Sequence, residues 1–332
     1  MNRILLKLLR RIVHAPITGV AVIRVWNRDR TVRFTQSATV ERARASDFYI
    51  SLMLRRKTPF DMRPATLKVG KPVWAIVMQG PLKLEDNFTL QTIKSYRSWF
   101  PTAPIVLSTW IGEDQKVLDQ VELLGCEVVL SDPEEFAHDQ HSVNLQMMSS
   151  REGLQKAKSL GSVFALKNRT DQRLNNPHSI ESLFALIDAF PLPSGVRQAG
   201  RIVLPSFNTT PFRLYSISDM FMFGHVEDLL RYWDGVYTNR TDRVAPETGY
   251  MTRFLESTGE TLEWSVSHYW EVLARRFLIL DTSFFNLHWP KYKNIENLLA
   301  WRGSPTTADV TFGMWLAMYE GRLIPQENLA HN

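Results

Sequence analysis

Lys71-Pro72-Val73-Trp74-Ala75-Ile76-Val77-Met78-Gln79-Gly80-Pro81 is the stretch on which the fold turns. Six apolar residues run without a break between a Lys-Pro pair and a Gln-Gly-Pro turn, the pattern of a strand buried on both faces. The next 120 residues repeat the theme. A helical segment from about Asn87 carries Leu90, Ile93, Tyr96 and Phe100 on one side and stops at Pro101, and Pro104 to Trp110 forms a second strand. A helix with Val117, Val121 and Leu124 closes at Gly125 and leads into a strand from Cys126 to Leu130 that ends at Ser131-Asp132. A helix over about 142 to 160, a short fourth strand at Val163 to Leu166, and a helix marked by Ile180, Leu183, Phe184 and Ile187 complete this half. Such βαβα order predicts a mostly parallel sheet with right-handed crossovers.

Beyond residue 195 the order is less regular. Strands are expected at 201 to 204, 219 to 223 and near 277 to 280, with helices near 226 to 233, 247 to 258 and 268 to 276. Residues 71–195 thus read as a regular βα half and 196–332 as the half that completes the sheet of the same domain. Residues 1–70, basic and without clear periodicity past residue 15, read as an amino-terminal extension.

Composition narrows the class. The chain has 332 residues, 44% of them hydrophobic, which suits a globular α/β domain and argues against disorder. Its net charge of +5 is concentrated in the first 63 residues, a distribution that points to an anionic membrane surface or acidic phosphate substrates rather than to nucleic acid. Ile4, Leu5, Leu8, Leu9, Ile12 and Val13 fill one half of a helical wheel, and Arg3, Lys7, Arg10 and Arg11 fill the other, as in an interfacial helix. Lys7, Arg10 and Arg11 interrupt the apolar run, so this segment reads as retained rather than as a cleaved signal. No stretch approaches the roughly 18 apolar residues of a membrane span, and Cys126 is the single cysteine, so a cytoplasmic protein, peripheral at an anionic membrane surface, is expected.

In open parallel sheets, ligands bind beyond the carboxyl ends of the strands. Gln79, Gly80, Asp132 and the segment Lys167-Asn168-Arg169-Thr170-Asp171-Gln172-Arg173 are therefore the first candidates. The last concentrates charge directly after a buried strand, where a carboxylate can hold a divalent cation and arginines can grip phosphate oxygens in pairs. An ion-pair network capping the strand is the alternative. Asp219 and Glu247 are candidate general bases, although a strand entry and the first turn of a helix also account for them. Asn286-Leu287-His288-Trp289-Pro290-Lys291-Tyr292 groups an imidazole, an aromatic plane and a cation, a mixture suited to a sugar diphosphate. His138 and His141 read as a solvated turn. No Gly-x-Gly-x-x-Gly or Walker loop follows the first strand, which disfavours dehydrogenase, kinase and methyltransferase readings.

Val77-Met78-Gln79-Gly80-Pro81, Leu107-Ser108-Thr109-Trp110, the 167–173 segment and Ser218-Asp219-Met220-Phe221-Met222-Phe223-Gly224 resemble the WavE family of lipopolysaccharide-synthesis proteins over about residues 72 to 300. The resemblance implies a GT-A-like, Rossmann-type α/β fold with a mixed, mostly parallel sheet flanked by helices. It also implies transfer of a sugar from a nucleotide diphosphate sugar to a lipopolysaccharide core or capsular, lipid-linked or polysaccharide acceptor. In that reading Asp171 stands where GT-A enzymes place the last carboxylate of an Asp-x-Asp metal motif, and Arg169 replaces the first. Manganese or magnesium on Asp171, with His288 as a second ligand, is one expectation; direct pairing of Arg169 with the pyrophosphate is the other. Donor contacts are expected from Gln79, Gly80, Asp132, Arg169, Asp171, Arg173 and Lys291, and acceptor activation from Asp219 or Glu247. A non-catalytic glycan-assembly protein that keeps the fold is the rival from another class.

Overall fold

A computed structural model describes residues 73–133, 143–235, 245–292 and 309–323. All of them belong to the larger of two units, residues 58–332, and the helix expected at 3–13 and the pair His138 and His141 lie outside the described residues.

Four parallel strands carry the first half: β1 (Trp74–Gln79), β2 (Ile105–Trp110), β3 (Glu127–Ser131) and β4 (Phe164–Arg169). Between them run α1 (Phe88–Trp99), α2 (Gln115–Leu123) and α3 (Val143–Ser159). Every residue of β1 is buried, as its unbroken apolar run requires, because β2 and β4 flank it and helices cover the sheet. β3 departs from the expected buried strand: it is the sheet edge, with Glu127 and Leu130 exposed, while Cys126 just before it is buried.

The second half adds α4 (Ser179–Ala189), β6 (Ile202–Pro205), β7 (Met222–His225), α5 (Val226–Tyr232), α6 (Pro246–Ser257), α7 (Val266–Arg276), β8 (Phe277–Leu280) and α8 (Phe312–Tyr319). The seven strands stand in the order β3-β2-β1-β4-β7-β6-β8, and β7 is antiparallel to both neighbours. The sheet is therefore mixed and mostly parallel, as the sequence predicts. β7 begins at Met222 rather than at residue 219, so Asp219 sits in the loop before the strand. Two further short strands, β5 (Arg173–Leu174) and β9 (Leu287–His288), pair antiparallel outside the main sheet.

Local chemistry explains the boundaries. Asp114 caps α2 through the amides of Lys116 and Val117, Ser265 caps α7 through His268, and Thr311 caps α8 through Met314. α3 lies across β1 and β2, where Gly153 permits the approach: a Cβ there would stand 2.5 Å from Val77 Cγ1. The Trp315 indole N–H donates to the carbonyls of Leu273 and Phe277, pinning α8 over the junction of α7 and β8.

Candidate functional site

Because β1 to β4 run parallel in the order β3-β2-β1-β4, their carboxyl ends form one row. At the end of β1, Gly80 has φ +108, a conformation that favours glycine, and its amide donates to the Ser108 carbonyl. The Gln79 side chain turns into the protein and accepts from Ser149 Oγ at 2.8 Å, so its backbone, not its amide group, faces the row. The Thr170 amide donates to the Gln79 carbonyl and its hydroxyl to the Pro81 carbonyl, while Thr89 Oγ1 donates to the Thr170 carbonyl. The turns after β1 and β4 are thereby joined. Asp132 is exposed directly after β3, at the far end of the row.

Asp171 and Trp289 are 118 positions apart in the sequence and meet because β5 pairs with β9. The Arg169 guanidinium forks onto Asp171, Nε to Oδ1 at 2.8 Å and Nη2 to Oδ2 at 3.2 Å, and the Trp289 indole N–H donates to Oδ2 at 3.0 Å. Lys291, exposed, has its ammonium 5.9 Å from the Trp289 ring centroid, and Arg169 stands 5.5 Å from it. Burial raises the Asp171 pKa, but the Arg169 hydrogen bond and charge, the Trp289 N–H and Lys291 outweigh it and hold the carboxyl below its ordinary value. Asp171 is therefore an anion in a setting where both charged neighbours acting on it are cations.

Arg173 does not join this cluster. Its side chain is buried against α1, with Nε on Thr92 Oγ1 and the guanidinium over the Phe88 ring, a contact that ties β5 to α1. His288 lies edge-on to the same Phe88 ring, at 5.5 Å.

Across β4 a second polar cluster surrounds Asp219. Gln146 Nε2 donates to Asp219 Oδ2 at 2.7 Å, and the fully buried Lys167 donates from Nζ to the Asp219 carbonyl at 2.9 Å while lying 4.0 Å from the Trp233 ring centroid. Burial pulls the Lys167 pKa down to about 7, with Asp219 opposing the fall and Arg169 adding to it. The Tyr232 hydroxyl is pushed well up, by burial first and then by Asp219, Tyr250 and Glu247, so both candidate carboxylates act on one phenol. Glu247 is in the first turn of α6, behind Pro246, and its Oε1 accepts from Asn208 Nδ2 at 3.0 Å. Asn208, at φ +65, also receives Arg213 Nη2 on its carbonyl and side-chain oxygens.

The structure thus brings Arg169, Asp171 and Lys291 into one cluster and sets Asp219 and Glu247 around another, with Gly80 and Asp132 along the strand ends. Gln146, Tyr232 and Asn208 were not legible as site residues in the sequence, since each sits in an ordinary helix or loop context and joins the cluster through a partner distant in the chain, and Arg213 follows through Asn208.

The model of the WavE lipopolysaccharide synthesis family matches residues 74–281, more than half of the chain. The chain belongs to the WavE family. Both clusters lie within the matched region, except for Trp289 and Lys291, which follow it. Among curated proteins, none matches the sequence. Similar solved structures include a glycosyltransferase involved in the glycosylation of the major capsid of PBCV-1 and mouse xyloside xylosyltransferase 1 in its apo form. The first is 15% identical, with 57% of this chain and 81% of that chain covered and a TM-score of 0.32; the second is 13% identical, with 56% and 77% covered and a TM-score of 0.25. Scores this low carry no functional weight, so the reading of this WavE protein rests on its family and its own side chains.

Those side chains fit a protein-held divalent cation poorly. Both Asp171 oxygens already accept hydrogen bonds, and the nearest position for a first carboxylate is Arg169. Among the described residues no group of three or more His, Cys, Asp or Glu side chains converges on one point.

Proposed function

We propose that this WavE protein is a glycosyltransferase that moves a sugar from a nucleotide diphosphate sugar to a lipopolysaccharide core or capsular glycan acceptor. The observation that carries the proposal is the cluster of Arg169, Asp171, Trp289 and Lys291 at the carboxyl end of β4, where an open α/β sheet binds its ligand. The nucleoside lies along the row from Gly80 to Asp132, and the diphosphate meets Arg169 and Lys291. In the reaction the bond from the anomeric carbon to the diphosphate oxygen breaks, and that oxygen keeps the electron pair. The two cations stabilise the charge that develops there. The acceptor hydroxyl oxygen forms the new bond to the anomeric carbon, and its proton passes to Asp219 or Glu247.

The acceptor is lipid-linked or polysaccharide, and the basic amino-terminal segment attracts the protein to the anionic inner face of the membrane. A thermal-shift panel of nucleotide sugars, with and without manganese or magnesium, tests the donor reading: one nucleotide class should raise the melting temperature. Slow hydrolysis of that donor separates the enzyme from a non-catalytic glycan-assembly protein, a reading that the missing first carboxylate at Arg169 favours. Binding without any hydrolysis or transfer would support that rival.

A further inference from the structure

The geometry points to a diphosphate clamp made of side-chain cations alone, in which Asp171 positions Arg169 and does not ligate a metal; this rests on reading the site as one for a nucleotide donor. Three of the roughly four acceptor sites of Asp171 are taken. Oδ1 accepts from Arg169 Nε, and Oδ2 accepts from both Arg169 Nη2 and Trp289 Nε1. The fork fixes the plane of the guanidinium, and a guanidinium held on one edge presents its remaining N–H groups in a defined direction. Trp289 then serves two cations: Arg169 at 5.5 Å and Lys291 at 5.9 Å from the same ring centroid. Arg169 and Lys291 carry two positive charges against one negative charge on Asp171, so the cluster has a net positive charge that an anionic ligand neutralises.

A divalent cation at Asp171 would enter a site already positive and would compete with Arg169 for the carboxylate. Asp132, the acidic candidate that follows β3, lies three strand spacings from β4, or about 14 Å away. It cannot share an ion with Asp171. His288, next to Trp289 in the sequence, has its ring edge-on to Phe88 and its backbone paired with Arg173. The charge that a metal would bring to the leaving diphosphate is thus supplied by Arg169 and Lys291, with Trp289 holding both in reach.

Calorimetric titration of the full chain with UDP, GDP, dTDP and CDP, each in chelator and in manganese, tests the clamp. One diphosphate should bind with dissociation constants that agree within about threefold between the two buffers. Asp171→Asn, which keeps the size of the side chain, should weaken binding about tenfold, equally in both buffers, because the fork on Arg169 is lost. Arg169→Lys, which keeps the charge and loses the fork, should weaken it as well, and melting curves of both variants confirm that they are folded. Binding by the wild type only in manganese, or an Asp171→Asn defect that disappears in chelator, overturns the clamp while leaving the donor site standing. A folded wild type that binds none of the four in either buffer overturns both.

Discussion

Lys167 is a costly side chain to bury, an amine with no exposed surface, one recorded carbonyl partner and an indole face. Its pKa falls to about 7 when folded, below the 10.5 of a free lysine, and this fixes the sign of its effect on stability. Below pH 7 both states hold the proton and the folded protein bears the full cost of the buried charge. Between pH 7 and 10.5 only the unfolded chain holds it, so stability rises with pH across that window. Relative to Lys167→Met, the wild type should gain up to about 1.4 kcal/mol per pH unit there, read from urea unfolding at pH 6, 7.5 and 9. Parallel curves for the two proteins would mean that the ammonium is not penalised. The neighbouring carboxylates carry a separate expectation. Asp219→Asn and Glu247→Gln should each leave donor binding intact, while one of them lowers transfer by about 10²- to 10⁴-fold, the loss typical of a general base. Full activity in both variants would remove these residues from the mechanism.

Gly153 decides how closely α3 can approach the sheet. A methyl group there would stand 2.5 Å from Val77 Cγ1 and 3.0 Å from Ser108 Cβ, in the middle of β1 and β2, where little can yield. Gly153→Ala should therefore destabilise by about 1 to 3 kcal/mol despite the better helix propensity of alanine, visible as a lower melting temperature. A higher melting temperature would show that α3 can shift. Elements of this kind were legible because their pattern is local: the apolar runs of β1, β2 and β4 are buried on both faces, and the helix periodicities between them are regular. The pairing of β5 with β9 was not, since two-residue strands 113 positions apart carry no periodic signal, yet that pairing brings Trp289 to Asp171. The helix Phe312–Tyr319 also went unread, as it is apolar on most sides. The segment 167–173 stands out in the sequence by its density of charge, but strand geometry divides it. Lys167 faces α3 together with its register partner Val77, Asn168 reaches Tyr96 on α1, and Arg173 is buried against Phe88, so of the charged groups Arg169 and Asp171 are left for the proposed donor.

At the scale of the whole chain, charge is divided unevenly. The first 63 residues contain 14 of the 39 Lys and Arg and 4 of the 34 Asp and Glu, a net +10, which leaves −5 for residues 64–332. The overall +5 is thus no property of the α/β body, and a general affinity for polyanions is not expected of it. Among the described residues no helix is long and apolar enough to cross a membrane. The proposed attraction to a lipid surface rests on the basic segment alone. Arg3, Lys7, Arg10 and Arg11 lie on one half of the wheel over residues 3–13, opposite Ile4, Leu5, Leu8, Leu9, Ile12 and Val13. Each cation near an anionic leaflet contributes about 1 kcal/mol, and burial of the apolar half adds to it. Deleting residues 1–14 should therefore release the protein from vesicles containing phosphatidylglycerol, with little change in melting temperature, and raised salt should weaken binding of the full chain. Replacing Arg10 and Arg11 together by Glu should release it too, without shortening the chain. Sedimentation with vesicles reads both. Unchanged binding in the two variants, or a steep fall in melting temperature on deletion, would assign the apolar half to the protein's own core.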